Sequence, residues 1–253
     1  MSAAILRMPD GTAIAYQSRP GRGPTVLFLG GFRSAMSGLK ATYLQRWCSG
    51  REQAFVRMDY RGHGESGGTF EQACFSDWID DVTAVMAAVD AADYVLVGSS
   101  MGAWIATCIA LRCQANVSLP NICGVVAVAG AADFTKRLLW PRLSSDERDA
   151  LTEHARVEVL SRYGDGSYPI TLKLLQDGES HLTMDTRLRL SMPLRLLHGT
   201  HDADVPYTHA QAFLQHVTCD DATLTLIKHG DHRLSEPNDL RCLSSMVAEL
   251  SGF

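Results

Sequence analysis

The 253-residue sequence predicts an α/β fold, a mostly parallel central sheet flanked by helices, and three observations carry that expectation. Apolar runs of strand length alternate with stretches of helical periodicity, which is the rhythm of a doubly wound sheet. With 46% hydrophobic and 20% charged residues, the chain can bury the core of one large domain, residues 1–253. The longest apolar runs, such as residues 122–132, reach only about half of the ~20 residues that a bilayer crossing needs, so no transmembrane segment is expected.

Pro9-Asp10-Gly11 is the first turn signal, joining residues 4–8 to residues 13–17 as an antiparallel hairpin at the sheet edge. Strands are then expected at residues 25–29, 54–58, 94–97, 123–128, 194–197 and 222–227, each short, apolar and bounded by turn residues. Helices at residues 74–91, 104–112, 207–216 and 239–250 supply the crossovers. Residues 133–190 break this rhythm, because the interval far exceeds the dozen or so residues that a crossover needs. Within it Ser144-x-x-Glu147 reads as a capping box, Leu151, Ala155 and Val159 share one helical face, and Gly164 offers a stop. A small, mostly helical cap, inserted before the acid-bearing strand and lying over the carboxyl edge of the sheet, is the expected form. Ligands of open α/β sheets bind at that edge.

Lysine and arginine number 23 against 28 aspartates and glutamates, a net charge of -5 without any block of like charge. A phosphate-tracking surface and a polybasic membrane patch are both disfavoured, so no nucleic acid partner is expected. Cys48, Cys74, Cys108, Cys113, Cys123, Cys219 and Cys242 are scattered and form no CxxC pair, which suits a reducing compartment. With no secretory h-region at the N-terminus, a cytoplasmic protein is expected. Histidines and carboxylates lack metal-ligand spacing, and neither a metal nor a cofactor is expected. Oligomeric state stays open.

The chemistry begins at Gly98-Ser99-Ser100-Met101-Gly102, which follows an apolar strand and leads at once into a helical run. A strand-to-helix turn sharp enough to raise the Ser100 hydroxyl from the sheet crowds the positions two residues either side, and glycine stands at both. The turn also places the Met101 N–H at a helix N-terminus, where partial positive charge stabilises an oxyanion. Residues 25–29 end in Gly30-Gly31-Phe32, and the Phe32 N–H is the expected second donor.

A serine hydroxyl needs a general base, and that base needs a carboxylate to hold its tautomer. The loop after residues 194–197 carries Asp202, the expected acid, with Asp204 as its rival. The loop after residues 222–227 carries two histidines. His232 follows the flexible Gly230 and is the expected base, whereas His229, still close to the strand, is the rival expected to pack or cap. Trp104 and Trp140 are candidates to line an acyl pocket. The remaining histidines are expected to be structural.

Serine, then aspartate, then histidine at successive strand ends resembles the order of the α/β-hydrolase fold over nearly the whole chain. Asp59-Tyr60-Arg61-Gly62-His63-Gly64-Glu65-Ser66 resembles that fold's turn after its fourth strand, which implies structural roles for Arg61 and His63. Residues 98–104, 195–199, 202–206 and 228–233 are similar to the α/β-hydrolase domain-containing protein ten family. That family contains a mitochondrial palmitoyl-protein thioesterase that also acts on acyl glucuronides. The resemblance therefore implies hydrolysis of a small acyl ester or thioester, or of an acylated protein, by Ser100, Asp202 and His232, with the mitochondrial matrix as an alternative location. The chain departs from the pattern in three places: no transit-like segment precedes the first strand, residues 133–190 match loosely, and Gly30 stands where many such hydrolases have histidine. Two other functions fit the same pattern: a carbon–carbon bond hydrolase with the same triad, and a non-catalytic ligand receptor on this fold.

Overall fold

Alternation along the central strands decides how this chain layers itself. Leu27, Leu29, Leu96, Val125 and Ala127 point to one apolar cluster, while their neighbours Val26, Phe28, Val95, Val126 and Val128 point to another. Side chains two apart share a face of a strand, so a strand buried on both sides needs both sets apolar. A computed structural model of the protein, describing residues 3–160 and 166–252, has this arrangement.

The strands are β1 (Ala4–Arg7), β2 (Ala13–Arg19), β3 (Arg22–Leu29), β4 (Gln53–Met58), β5 (Asp93–Ser99) and β6 (Asn121–Val128). They continue with β7 (Arg156–Leu160), β8 (Ser167–Thr171), β9 (Leu188–Arg189), β10 (Leu194–Gly199), β11 (Val217–Thr218) and β12 (Ala222–Ile227). Eight of them form one sheet in the order β1-β2-β4-β3-β5-β6-β10-β12. The hairpin of β1 and β2 is antiparallel and sits at the edge, as the Pro9-Asp10-Gly11 turn predicts, and every pairing from β4 to β12 is parallel.

The α-helices are α1 (Leu39–Ser49), α2 (Phe75–Val89), α3 (Met101–Ala115), α4 (Ser145–His154), α5 (Leu172–Glu179), α6 (Tyr207–His216) and α7 (Pro237–Ser251). Residues of α1 and α7 pack on the Val26 side, and residues of α2, α3 and α6 on the Leu27 side. α1 has no predicted counterpart. Its N-cap is Gly38 without a side-chain cap bond, and no acid stands in its first turn, so the usual start signals are missing. Only the burial of Ala41, Leu44 and Cys48 marks its inner face.

Residues 133–190 are less helical than the sequence predicts. The Ser144 capping box forms, with the Glu147 N–H donating to Ser144 Oγ at 3.2 Å and the Ser144 N–H donating to Glu147 Oε2 at 2.7 Å. The helix then stops at His154, because Ala155 turns left-handed (φ 56°). Arg156–Leu160 alternates polar and branched residues, and it pairs antiparallel with β8 instead of continuing the helix. Val157 and Val159 pack against the small cluster of Leu143, Leu151, Ile170 and Leu175. Gly164, the expected stop, lies outside the described residues.

The two ends of this segment meet at Asp133, which is fully buried with φ 53°. Its carboxylate accepts the Thr183 N–H (2.7 Å), the Thr183 hydroxyl (2.8 Å) and the Met184 N–H (2.8 Å), and it pairs with Arg137 at 3.3 Å.

Candidate active site

Ser100 is the residue between β5 and α3, and its backbone is strained (φ 54°, ψ -118°). A non-glycine residue held there costs on the order of 1–3 kcal/mol, which the surroundings must offset. Three bonds hold the turn: the Ser100 N–H donates to the Val128 carbonyl at 2.9 Å, and the Ser100 carbonyl accepts the Ala103 N–H at 3.0 Å and the Ala131 N–H at 3.1 Å. Glycine is required on both sides. A Cβ at position 98 would lie 2.3 Å from the Gly102 carbonyl oxygen, and one at position 102 would lie 2.2 Å from the Leu29 carbonyl oxygen.

Asp202 and His232 arrive on neighbouring loops after the adjacent strands β10 and β12. The loops are laced together: the Thr200 N–H donates to the Ile227 carbonyl and the His201 N–H to the Gly230 carbonyl, both at 2.9 Å. The Asp231 carboxylate accepts the Arg233 and Leu234 N–H groups at 3.0 Å each, folding the chain tightly just past His232. Lys40 from α1 donates to the Arg233 carbonyl at 2.5 Å.

His232 Nδ1 lies 2.8 Å from Asp202 Oδ2, and its Nε2 lies 3.1 Å from Ser100 Oγ. Burial raises the pKa of Asp202, but hydrogen bonds from His198 and His232, electrostatic attraction to His232 and the Val205 N–H more than reverse this and hold its carboxyl well below the usual range. Asp202 is therefore an acceptor only, so Nδ1 carries the proton of the neutral imidazole and Nε2 presents its lone pair to the hydroxyl.

The rivals make other contacts. Asp204 lends its backbone N–H to Asp202 Oδ1 at 2.9 Å. His229 turns left-handed (φ 64°), and its ring lies 3.2 Å from that of His201 on an exposed face. Ligand atoms of Asp202, Asp204 and His232 lie within 4.8 Å of one another, a cluster that sequence spacing does not reveal. The Asp202 oxygens already accept the Asp204 and Val205 N–H groups and His232, so a cation there would compete with those donors.

Phe32 and Met101 both line the cavity that holds Ser100 and His232. The loop carrying Phe32 approaches Ser100 closely, since a Cβ on Gly31 would lie 3.3 Å from Ser100 Cβ. Residues 59–63 brace this loop, a target that the motif alone does not identify. The Tyr60 hydroxyl donates to the Gly30 carbonyl at 3.1 Å, and the Met36 N–H donates to Asp59 Oδ1 at 2.5 Å. Arg61 anchors the brace to α2 through buried Asp81, at 2.7 Å.

The cavity has a volume of about 620 Å³, within the usual range for small-molecule sites. Phe134, Leu138, Leu139, Leu143, Val159 and Tyr168 give it an apolar wall supplied by residues 133–190. Neither tryptophan expected in that wall belongs to it. Trp104 is fully buried, stacked on Phe75 at 3.7 Å, and donates its indole N–H to the His181 carbonyl at 3.0 Å, so Phe134 stands between it and the cavity. Trp140 is 39% exposed beneath the Arg148 guanidinium, outside the lining. Large aromatics at helical spacing were here serving the core and the surface.

All seven cysteines are free, and burial pushes the thiols of Cys48, Cys74 and Cys108 up to about 12. Such thiols carry almost no thiolate at neutral pH, and none of the three lines the cavity that holds Ser100. Among the described residues, no helix is long and apolar enough to cross a membrane.

Known proteins share this architecture. The chain resembles palmitoyl-protein thioesterase ABHD10, mitochondrial, of Homo sapiens, at 29% identity over 251 residues, covering 98% of this chain and 80% of that protein. A solved structure from Agrobacterium vitis S4, described only as a hydrolase, superposes with a TM-score of 0.93 at 35% identity, covering 98% of this chain and 97% of the other. Mouse alpha/beta hydrolase domain-containing protein 10 superposes with a TM-score of 0.89 at 26% identity, covering 99% and 98%. Residues 26–240 match the alpha/beta hydrolase family from β3 into α7, across all three strand ends of the site, and the chain belongs to that family.

Proposed function

We propose that the protein hydrolyses carboxylic esters or thioesters through a Ser100-His232-Asp202 triad and an acyl-enzyme intermediate. The observation that carries the reading is the unbroken relay from Asp202 Oδ2 through His232 to Ser100 Oγ, at 2.8 and 3.1 Å. His232 Nε2 takes the hydroxyl proton as Ser100 Oγ attacks the acyl carbonyl, and the Phe32 and Met101 N–H groups receive the charge developing on oxygen. The imidazolium then protonates the departing alcohol or thiol, leaving Ser100 acylated. A water molecule, deprotonated by His232, releases the acid and restores the serine.

Residues 133–190 act in this reading as a cap inserted in a single domain, and their apolar wall suits an acyl chain. The thioesterase names of the ABHD10 relatives support a thioester or ester substrate, small or protein-borne, over a carbon–carbon bond substrate. The same relatives, named as mitochondrial, favour a mitochondrial location over the cytoplasmic one expected from the sequence. A pure receptor has no need of a serine held at strained φ with an aligned base.

Intact-protein mass after treatment with a fluorophosphonate tests the nucleophile, followed by turnover of p-nitrophenyl esters and acyl-CoA thioesters of increasing chain length. The expected result is one adduct on the wild type, none on Ser100→Ala, and a fall in turnover on the order of a million-fold in that variant. Absence of both adduct and turnover in the folded wild type overturns the proposal in favour of a binding role.

A further inference from the structure

Asp202 is served by two histidines. The imidazole of His198, the penultimate residue of β10, lies with Nε2 3.2 Å from Asp202 Oδ2, the same oxygen that His232 Nδ1 approaches at 2.8 Å. The His198 ring is 1% exposed and the Asp202 side chain fully buried. His198 Nε2 also lies 2.9 Å from the Val205 carbonyl oxygen, buried at the turn into α6. Carbonyl and carboxylate oxygens both accept, so Nε2 must carry a proton and share it between them.

We infer that His198 is a positioning residue for the proposed triad, acting as a fixed N–H donor that holds the Asp202 carboxylate in the plane and rotamer that His232 requires. The inference rests on the triad reading above. Four donors then surround one carboxylate: Oδ1 takes the Asp204 and Val205 N–H groups at 2.9 and 2.8 Å, and Oδ2 takes His198 and His232. Rotation about Cβ–Cγ moves both oxygens together, so the backbone pair on Oδ1 and the histidine pair on Oδ2 resist it from the two ends of the carboxylate. His198 is the second donor on Oδ2, and its bond to the Val205 carbonyl ties that donor to the loop carrying the acid. Sequence reading groups His198 with the structural histidines, because nothing in Leu197-His198-Gly199 tells which oxygen the ring will meet.

The test begins on the wild type, with nitrogen-15 shifts of the histidine rings. The neutral Nε2–H tautomer at His198 is expected, and an Nδ1–H tautomer there overturns the inference without any substitution. His198→Leu keeps the bulk and removes the donor. It is expected to lower kcat roughly a hundred-fold with KM little changed, as a misplaced catalytic group does, and to shift or broaden the downfield proton resonance of His232 Nδ1–H. His198→Gln, which restores an N–H at similar reach, is expected to recover most of kcat and the resonance. A purely structural residue would lower Tm in both variants and leave the kcat of the folded fraction and the resonance untouched, which overturns the inference. Should His198→Leu fail to fold, His198→Gln and the wild-type tautomer decide it alone. Fluorophosphonate labelling of Ser100 separates the two levels: no adduct overturns the triad reading, whereas an adduct with unchanged kcat in folded His198→Leu overturns only the role of His198.

Discussion

His63 Nε2 accepts the backbone N–H of Arg33 at 3.1 Å, while its Nδ1 lies 3.1 Å from the Arg61 carbonyl oxygen. One ring thus joins the 59–66 turn to the loop that carries Phe32, and it does so only as the neutral Nδ1–H tautomer. Burial lowers the pKa of His63, outweighing the Arg61 carbonyl and the charge of Asp59, which favour protonation. In the unfolded chain the imidazole protonates near its ordinary value of about 6.5. Below that value, and down to its lower folded value, the unfolded state binds the extra proton, so stability falls as pH falls through this window. His63→Leu is expected to flatten that acid-side decline and to cost roughly 1–3 kcal/mol at neutral pH through the orphaned Arg33 N–H, measured by urea unfolding at several pH values.

Asp202 and Asp204 are separated by kinetics. Asp202→Asn should lower kcat about ten thousand-fold by removing the anion that fixes the His232 tautomer. Asp204→Asn keeps the backbone N–H that it lends to Asp202 Oδ1, and its kcat should fall by less than about ten-fold. A larger loss from Asp204→Asn would reverse the assignment of the acid.

Phe32→Pro deletes one of the two proposed oxyanion donors. A loss of about 3 kcal/mol of transition-state stabilisation is expected, seen in kcat more than in KM. Circular dichroism should show the fold retained, because Phe32 lies in a loop, while Tm should fall as its ring leaves Phe70, Trp78, Phe134 and Tyr168.

Gly102→Ala should damage the fold itself. Its methyl group would stand 2.2 Å from the Leu29 carbonyl and 2.5 Å from that of Gly30, both backbone atoms of the central sheet edge. Overpacking of this kind costs about 1–3 kcal/mol or more, so a drop in Tm and in soluble yield is expected alongside lost activity.

Lys40 gives a signature on the alkaline side. Burial pushes its ammonium down to about 8, against the attraction of Asp231, Asp239 and Asp202 and with help from Arg233. Unfolded lysine holds its proton to about 10.4, so between these values the unfolded chain binds a proton that the folded one has released. Stability therefore rises with pH in that window as the cost of the buried charge disappears. Relative to Lys40→Met, the wild type should gain Tm between about pH 7.5 and 10; parallel profiles would mean that Lys40 remains solvated.

Much of this was readable from local signals, and the failures have local causes too. The strands bearing Ser100, Asp202 and His232 were legible because each is a short apolar run stopped by glycine or a polar turn, which also fixes which loops meet at the carboxyl edge. In sequence, β7 looks helical because Leu151, Ala155 and Val159 fit a helical face, yet the left-handed Ala155 and the alternation of Val157 and Val159 favour a strand once a partner, β8, is present. The tryptophans were misplaced because a large ring satisfies a core as well as a pocket, and only packing against Phe75 or Arg148 decides between them. Tyr60 on Gly30 and His198 on Asp202 depend on how loops cross, which no periodicity encodes.

The carboxylate of Asp133 receives both Thr183 and Met184, so the chain leaves the sheet region and returns to it through one knot of hydrogen bonds. A loop tied at its base transmits little of its interior variation to what lies below, and each doubling of its length adds only about 0.6 kcal/mol of closure entropy. The proposed cap is thereby tied at its base as a cassette. In the proposed function, evolution or a designer can swap that wall for another and change which acyl chains are admitted, while Ser100, His232 and Asp202 stay where the sheet put them.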